Sequence, residues 1–217
     1  MQSNKAKSLI VCVVVALLLS SAPPPVAGEH AVEGTTSPAI RITPPAPVFD
    51  EKTRLAELAG RRDRVVQSMG PNSMLVLFSA EPRVYTNDVD YLFRQENNLY
   101  YLTNLKQKGA TVVLLPGNDI LPQVLFLPRR NSAAETWTGH MYSAEEASAV
   151  SGIKEIWEAS EFEPFLQALR NRQPYRPKAE NILMSASVAQ VATAGHSGFE
   201  GLFTAAGKNE GQLYMLI

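Results

Sequence analysis

The 217-residue chain carries 20 Lys plus Arg against 21 Asp plus Glu, a formal net charge of -1, 45% hydrophobic residues and one cysteine. This is the profile of an ordinary globular protein of one domain with a short appendage, not of a disordered, collagenous or disulfide-stapled chain. No block of Lys or Arg concentrates positive charge, so nucleic acid is not an expected partner.

The first residues read as a secretory leader. Lys5 and Lys7 precede an unbroken apolar run over residues 9–19, followed by Ser20, Ser21 and then Val26-Ala27-Gly28, small residues placed where signal peptidase cuts. Such a run rises only about 16 Å as a helix, well short of a hydrocarbon core of ~30 Å, so no stable membrane anchor is expected. Residues 1–28 are therefore assigned as a cleavable signal peptide, implying a secreted or periplasmic protein. Cys12 lies inside this segment, so the exported chain has neither a disulfide nor thiolate chemistry. Residues 29–47 contain Pro38, Pro44, Pro45 and Pro47 and no aromatic residue. They read as a Pro-rich disordered linker, unable to bury enough apolar surface to offset backbone ordering.

The fold starts at residue 48. Over residues 51–69, Leu55, Leu58, Val65, Val66 and Met69 recur at helical spacing, and Arg61, Arg62 and Arg64 fall mostly on the other side. Gly70-Pro71 ends this helix, with the glycine as a left-handed cap. Strands are predicted over residues 74–78, 110–115, 123–127 and 181–184. Their near-continuous apolarity requires a sheet covered on both faces. Ser143 followed by Glu146, and Ser160 followed by Glu163, predict two capping boxes, the second opening a helix with Phe162, Phe165, Leu166 and Leu169 on one face. Alternating helices and buried strands imply a three-layer α/β domain over residues 48–217.

Residues 85–101 hold five aromatics in 17 positions, where an 8% background predicts one or two. Interleaved are Asp88, Asp90, Arg94, Gln95, Asn97 and Asn98. Such a mixture suits a pocket wall or an interface, and it equally suits a core strand with a polar turn. Asp88 and Asp90 are expected to shape the turn before Tyr91.

Three blocks then carry a resemblance: Arg61-Arg62; Asp90-Tyr91-Leu92-Phe93-Arg94-Gln95-Glu96-Asn97-Asn98-Leu99-Tyr100-Tyr101-Leu102-Thr103; and Glu135-Thr136-Trp137-Thr138-Gly139. In order and separation they resemble the amino-terminal domain of Xaa-Pro aminopeptidases, in the creatinase and prolidase superfamily, with the best agreement over residues 48–172. The resemblance implies an α/β/α domain with a mixed sheet and a ribonuclease H-like motif. It also implies a family of metallopeptidases that remove the residue before proline, forming homo-oligomers in the intact family and acting on peptides with proline in second position. Two manganese or similar ions activate water there, held by two Asp, one His and two Glu of a carboxy-terminal pita-bread domain.

This chain offers no such set, so no metal is expected to be bound by it and no catalytic residue is assigned. Downstream of the linker only His140 and His196 remain, and the one close acidic pair with suggestive spacing is Asp88 with Asp90. His140 is expected to be a loop residue beyond a Trp137–Gly139 turn. Gly195-His196-Ser197-Gly198-Phe199 fails as a nucleophile elbow and Gly207-Lys208-Asn209 fails as a phosphate loop. Gly195, Gly198 and Gly201 are expected to mark a mobile loop. The apolar run 213–217 reads as a strand that is cut off. The expectation is an amino-terminal domain without its catalytic partner, inactive alone, presenting Asp88, Arg94 and Tyr100 toward an active-site mouth or an oligomer contact. The competing expectation is a stand-alone periplasmic binding or assembly module.

Overall fold

Asp50 opens the first helix, its carboxylate accepting hydrogen bonds from the Lys52 and Thr53 amides at 3.0 and 3.1 Å, which satisfies donors that a helix start leaves free. A computed structural model describes residues 45, 48, 50–185 and 198–216. The expected leader and its cleavage point, nearly all of the linker, and Gly195 and His196 lie outside these described residues. Residues Pro47–Ile217 form one compact unit.

The chain order is α1 (Glu51–Met69), β1 (Ser73–Phe78), β2 (Val84–Thr86), β3 (Val89–Asp90), α2 (Asn97–Thr103), β4 (Thr111–Leu114), β5 (Gln123–Leu127), α3 (Ser132–Thr138) and α4 (Ala144–Ser151). It continues with β6 (Ile156–Glu158), α5 (Phe162–Arg170), β7 (Ile182–Met184), α6 (Glu200–Gly207) and β8 (Gln212–Leu216). Among the described residues, six strands form one sheet in the order β7-β6-β5-β4-β1-β8, and β2 with β3 forms a separate two-stranded ribbon. The large sheet is mixed: β1–β8 and β5–β6 are parallel, while β1–β4, β4–β5 and β6–β7 are antiparallel.

Both faces of the central strands are covered, as their apolarity requires. Leu75, Leu77, Val112, Leu114, Leu125 and Ile156 pack with Leu99 and Leu102 of α2, Ala144 and Ala147 of α4, and Val65, Val66 and Met69 of α1. The alternate residues Met74, Val76, Val113, Val124, Phe126 and Trp157 pack with Phe162, Phe165, Leu166 and Leu169 of α5 and with Leu202 and Phe203 of α6. The result is a three-layer α/β/α sandwich. Edge-on contacts of Phe126 with Trp157 and Phe162, at ring separations of 5.6 and 5.2 Å, run through the second layer.

Several local expectations change. Ser143 and Glu146 form their reciprocal capping box, but Ser160 makes no cap: residues Ala159–Glu161 form a 3-10 turn and α5 starts at Phe162. Trp137 is helical, in α3, with Gly139 as its terminator. Gly201 lies within α6. Gly70 has positive φ (80°) but an extended ψ of 168°, so it turns the chain sharply without a left-handed cap.

The largest departure concerns the arginines of α1. Arg62 is buried, 4% exposed. Its Nε donates to Gln123 Oε1 at 2.8 Å, and its Nη1 donates to the carbonyls of Leu102 (2.8 Å) and Ser151 (3.0 Å). These are last-turn carbonyls of α2 and α4, which carry partial negative charge and have no partner within their own helices. Arg54 bonds Val150 O and Ala149 O at 2.6 and 3.0 Å. Arg61 bonds Tyr101 O at 3.0 Å and lies 4.4 Å from the Tyr101 ring centroid. Only Arg64 remains on the outer side, 3.5 Å from Glu57. Burial lowers the Arg62 pKa, with Asp63 opposing, and the guanidinium stays charged.

Replacing Arg62 by alanine strands three acceptors, and the expected loss is about 3 kcal/mol of stability, a melting temperature lower by roughly 6–12 °C. Arg62→Lys, which cannot span all three acceptors, recovers only part of this. Denaturant unfolding checks it; an alanine variant as stable as the parent refutes the assignment. A second prediction concerns Tyr175, whose hydroxyl donates to Glu161, while Asn181 donates to the same carboxylate. Burial, and then the Glu161 contact, push the Tyr175 phenol up to about 12. The folded state thus favours the neutral phenol, a contribution fully present below the ordinary value near 10 and lost as pH climbs through 12. Stability of the native chain falls across that window more steeply than that of Tyr175→Phe; parallel pH profiles rule the linkage out.

Candidate functional site

The aromatic segment singled out in the sequence becomes the β2–β3 ribbon and the strand leading from it into α2. Asn87, at positive φ (42°), makes the turn, and Asp88 sits beside it at the exposed tip. Tyr85 and Tyr91 meet edge-on at 5.0 Å on the ribbon, and the Tyr91 amide donates to Arg83 O at 2.8 Å. The ribbon therefore stands as a polar-tipped aromatic arm, not as the core strand that was the other expectation.

Its base is held by two buried amides. Gln95 Oε1 accepts from the Ala80 and Glu96 amides at 3.0 and 2.9 Å, and its Nε2 donates to Gln107 O at 3.0 Å. Gln107 Oε1 in turn accepts from the Tyr142 amide at 2.9 Å. This relay joins the end of β1, the start of α2 and the entry to α4, and it places Phe93 between two open clefts.

The first cleft, of about 770 Å³, is lined by Phe78, Glu81, Arg83, Phe93, Arg94 and Met215 among others. Arg94 reaches Asn97 Oδ1 at 3.1 Å. Glu96 is committed to α2, accepting from the Leu99 amide at 2.7 Å and from Asn98 Nδ2 at 2.9 Å. Arg83, Arg94 and Glu81 therefore give the cleft a rim of mixed charge beside apolar walls, which suits a peptide-like ligand.

The second cleft, of about 690 Å³, is lined by Tyr91, Leu92, Phe93, Lys108, Trp137 and Met141 among others. Trp137 is 89% exposed and Leu92 is 97% exposed, an unusual outlay of large apolar surface. Behind them Glu135 bonds Arg130 Nε at 2.7 Å and the Met141 amide at 3.1 Å; Arg130, then the Met141 amide, hold the Glu135 carboxyl below its usual range. His140 lies 3.2 Å from Glu146 Oε2 and 3.9 Å from Glu135 Oε1. This cluster positions the loop that follows Trp137.

Of the three residues named from the sequence, Arg94 lines the first cleft and Asp88 marks the ribbon tip. Tyr100 lies on α2, 39% exposed, with Lys106 Nζ 5.8 Å from its ring centroid. The structure does not gather them around one point. Trp137, Leu92 and Phe93 were not singled out as site residues, although all three stand in the blocks that carry the resemblance; Trp137 lies in Ser132–Thr138, a helix that buries none of its residues. Among the described residues no group of three or more His, Cys, Asp or Glu side chains could hold a metal ion. The two-ion centre implied by the resemblance therefore does not fit onto them. Of the hydroxyl residues on the cleft walls, Ser79 donates to Ala80 O at 3.3 Å and Thr138 donates to Ala134 O at 3.0 Å. The geometry provides apolar walls with charged rims.

Residues 58–176 match the family described as the aminopeptidase P, N-terminal domain. The Xaa-Pro aminopeptidase of Haemophilus influenzae is 35% identical over 106 residues, 49% of this chain and 25% of that protein. Human Xaa-Pro aminopeptidase 3 is 28% identical over 134 residues, 59% of this chain and 26% of that protein. The chain thus spans about a quarter of the length of these curated relatives. A zinc-substituted Escherichia coli aminopeptidase P in complex with product superposes with a TM-score of 0.52 at 23% identity, covering 78% of this chain and 37% of that one; at that identity the likeness concerns the fold. With more than half of its length matched by the family and the same three-layer architecture, the chain belongs to the aminopeptidase P amino-terminal domain family.

Proposed function

We propose that this chain supplies the amino-terminal domain of an exported Xaa-Pro aminopeptidase, a manganese-dependent exopeptidase that removes the residue before proline. In this reading the domain bounds the mouth of an active site carried elsewhere. The carrying observation is the exposed aromatic ribbon with its two flanking clefts, on a domain of this family. Arg83 and Arg94 orient peptide carboxylates, and Leu92, Phe93 and Trp137 form the apolar wall against a catalytic domain or a second subunit. Metal and water activation belong to the catalytic domain, because the described residues of this chain have no ligand cluster for them.

A second reading, a stand-alone peptide-binding module, draws on the same bare Trp137. The chain has two tryptophans, and Trp157 is buried, so iodide quenching of fluorescence reports on Trp137. The purified chain with manganese is expected to release no residue from a peptide with proline in second position; turnover overturns the proposal. Trp137 is expected to become shielded when a catalytic domain from a relative is added. Shielding by the peptide alone favours the binding module instead. Export is tested separately: the secreted chain is expected to begin at Glu29 by mass spectrometry, and retention of residues 1–28 contradicts it.

A further inference from the structure

The helix that carries Trp137 is held by polar contacts. Seven residues are too few for a helix to stand by propensity alone, and α3 buries none of its residues. Asn131 caps its start, accepting from the Ala133 amide at 3.1 Å, and Glu135 takes Arg130 and the Met141 amide. Next in the chain, α4 opens on its capping box, in which the Ser143 amide donates to Glu146 Oε2 at 2.8 Å.

His140 stands between these two carboxylates, which face opposite nitrogens of its ring. Nδ1 lies 3.9 Å from Glu135 Oε1 and Nε2 lies 3.2 Å from Glu146 Oε2. A neutral imidazole has one N–H and one lone pair, so one of the two carboxylates then confronts a lone pair. The imidazolium offers a donor to each. Tyr142 packs edge-on against the same ring, at 5.6 Å between centroids.

The neighbouring charges leave this preference in place. Arg130 pairs with Glu135 at 2.7 Å, while His140 is the basic side chain within 4 Å of Glu146 among the described residues. Glu145 turns to the Ser143 hydroxyl at 2.9 Å. Asp90, Lys106 and Lys108 line the same cleft, with Lys108 over the Phe93 ring and Lys106 over the Tyr100 ring. The Ser143 amide, and after it the charges of His140 and Arg130, hold the Glu146 carboxyl below its usual range, with burial opposing. Arg130 and then the Met141 amide do the same for Glu135. Both carboxylates therefore stay ionised where histidines exchange their proton, between about pH 5 and 8. We infer that His140 is a proton-dependent latch: with its proton it ties the end of α3 to the start of α4 and holds the turn behind Trp137, and without it one side of that tie is lost. Because the charged ring is the form with two partners, the latch is closed at low pH and released as pH rises. Every group involved lies in this chain, so the inference stands whether or not the proposed peptidase role does.

Nuclear magnetic resonance of the full chain tests it. The chain has two tryptophans, and the Trp157 indole N–H donates to Glu155 at 2.6 Å, which sets its signal apart from that of Trp137. Between pH 5 and 8 the Trp137 indole signal is expected to move with the same midpoint as the His140 ring protons. Amides of residues 136–141, corrected for intrinsic rates, are expected to exchange about threefold more slowly at pH 5 than at pH 8, the scale of an exposed ion pair. His140→Gln is expected to abolish both changes, and His140→Arg, charged throughout, to hold the low-pH values at both. Circular dichroism checks that the variants fold; if either does not, the coincidence of midpoints in the native chain decides. A Trp137 signal or an exchange rate indifferent to pH overturns the inference. So do unequal midpoints, or a pH response that survives in His140→Gln or in His140→Arg.

Discussion

Three arginines on one helix meet the carbonyl ends of two others, and the arrangement of the domain follows from that meeting. A helix leaves its last carbonyls without partners, and burying such an end against apolar neighbours is costly. Here the carboxyl ends of α2 and α4 both run up against α1, and Arg54, Arg61 and Arg62 supply the donors that water would otherwise provide. The guanidinium suits this role because its fork of donors reaches several acceptors from one buried position. No carboxylate is needed to neutralise Arg62, since the two helix ends present the compensating partial charge. Gln123, at the start of β5, extends the tie into the sheet.

From there the consequences run outward in order. Fixing the end of α2 fixes its start, where Glu96 caps the helix and Gln95 is locked to the end of β1 and to Gln107. The aromatic ribbon springs from this locked point, so its base is rigid while its tip is solvated. Phe93 becomes a partition between two clefts because the residues on either side of it are held, and Trp137 faces the second cleft because the Glu135, Arg130 and His140 cluster anchors the turn behind it. The aromatic surface thus rests on elements whose buried polar side-chain atoms all have partners among the described residues, which is the arrangement that keeps exposed aromatics in one orientation at low entropic cost.

The described part of this domain presents apolar walls and charged rims, and no group of three or more His, Cys, Asp or Glu side chains that could hold a metal ion. Under the proposed function, these walls, on a domain of the aminopeptidase P amino-terminal family, bound chemistry carried by a second domain. The bare apolar area at Trp137 and Leu92 fits a module whose surfaces are meant to be covered.

Much of the architecture was legible in the residues alone, because burial on both faces leaves a continuous apolar run and a helix leaves a 3.6-residue period. Residues 51–69 and 123–127 were assigned with the boundaries that α1 and β5 have, and the Ser143–Glu146 cap is a local contact readable within four residues. The misplaced features share a different character. Arg62 stands at helical spacing from Leu55, Leu58, Val65, Val66 and Met69, inside the apolar stripe, so its burial was open to reading from the period; its partners Leu102, Gln123 and Ser151, between 40 and 89 residues away, were not. Trp137 carries no periodic signal of exposure, and the clefts exist only where segments distant in sequence are brought together around Phe93. Local chemistry decides where helices and strands form and which family they belong to; which acceptors a buried arginine meets, and which aromatic is left bare, is decided by contacts that no stretch of sequence contains.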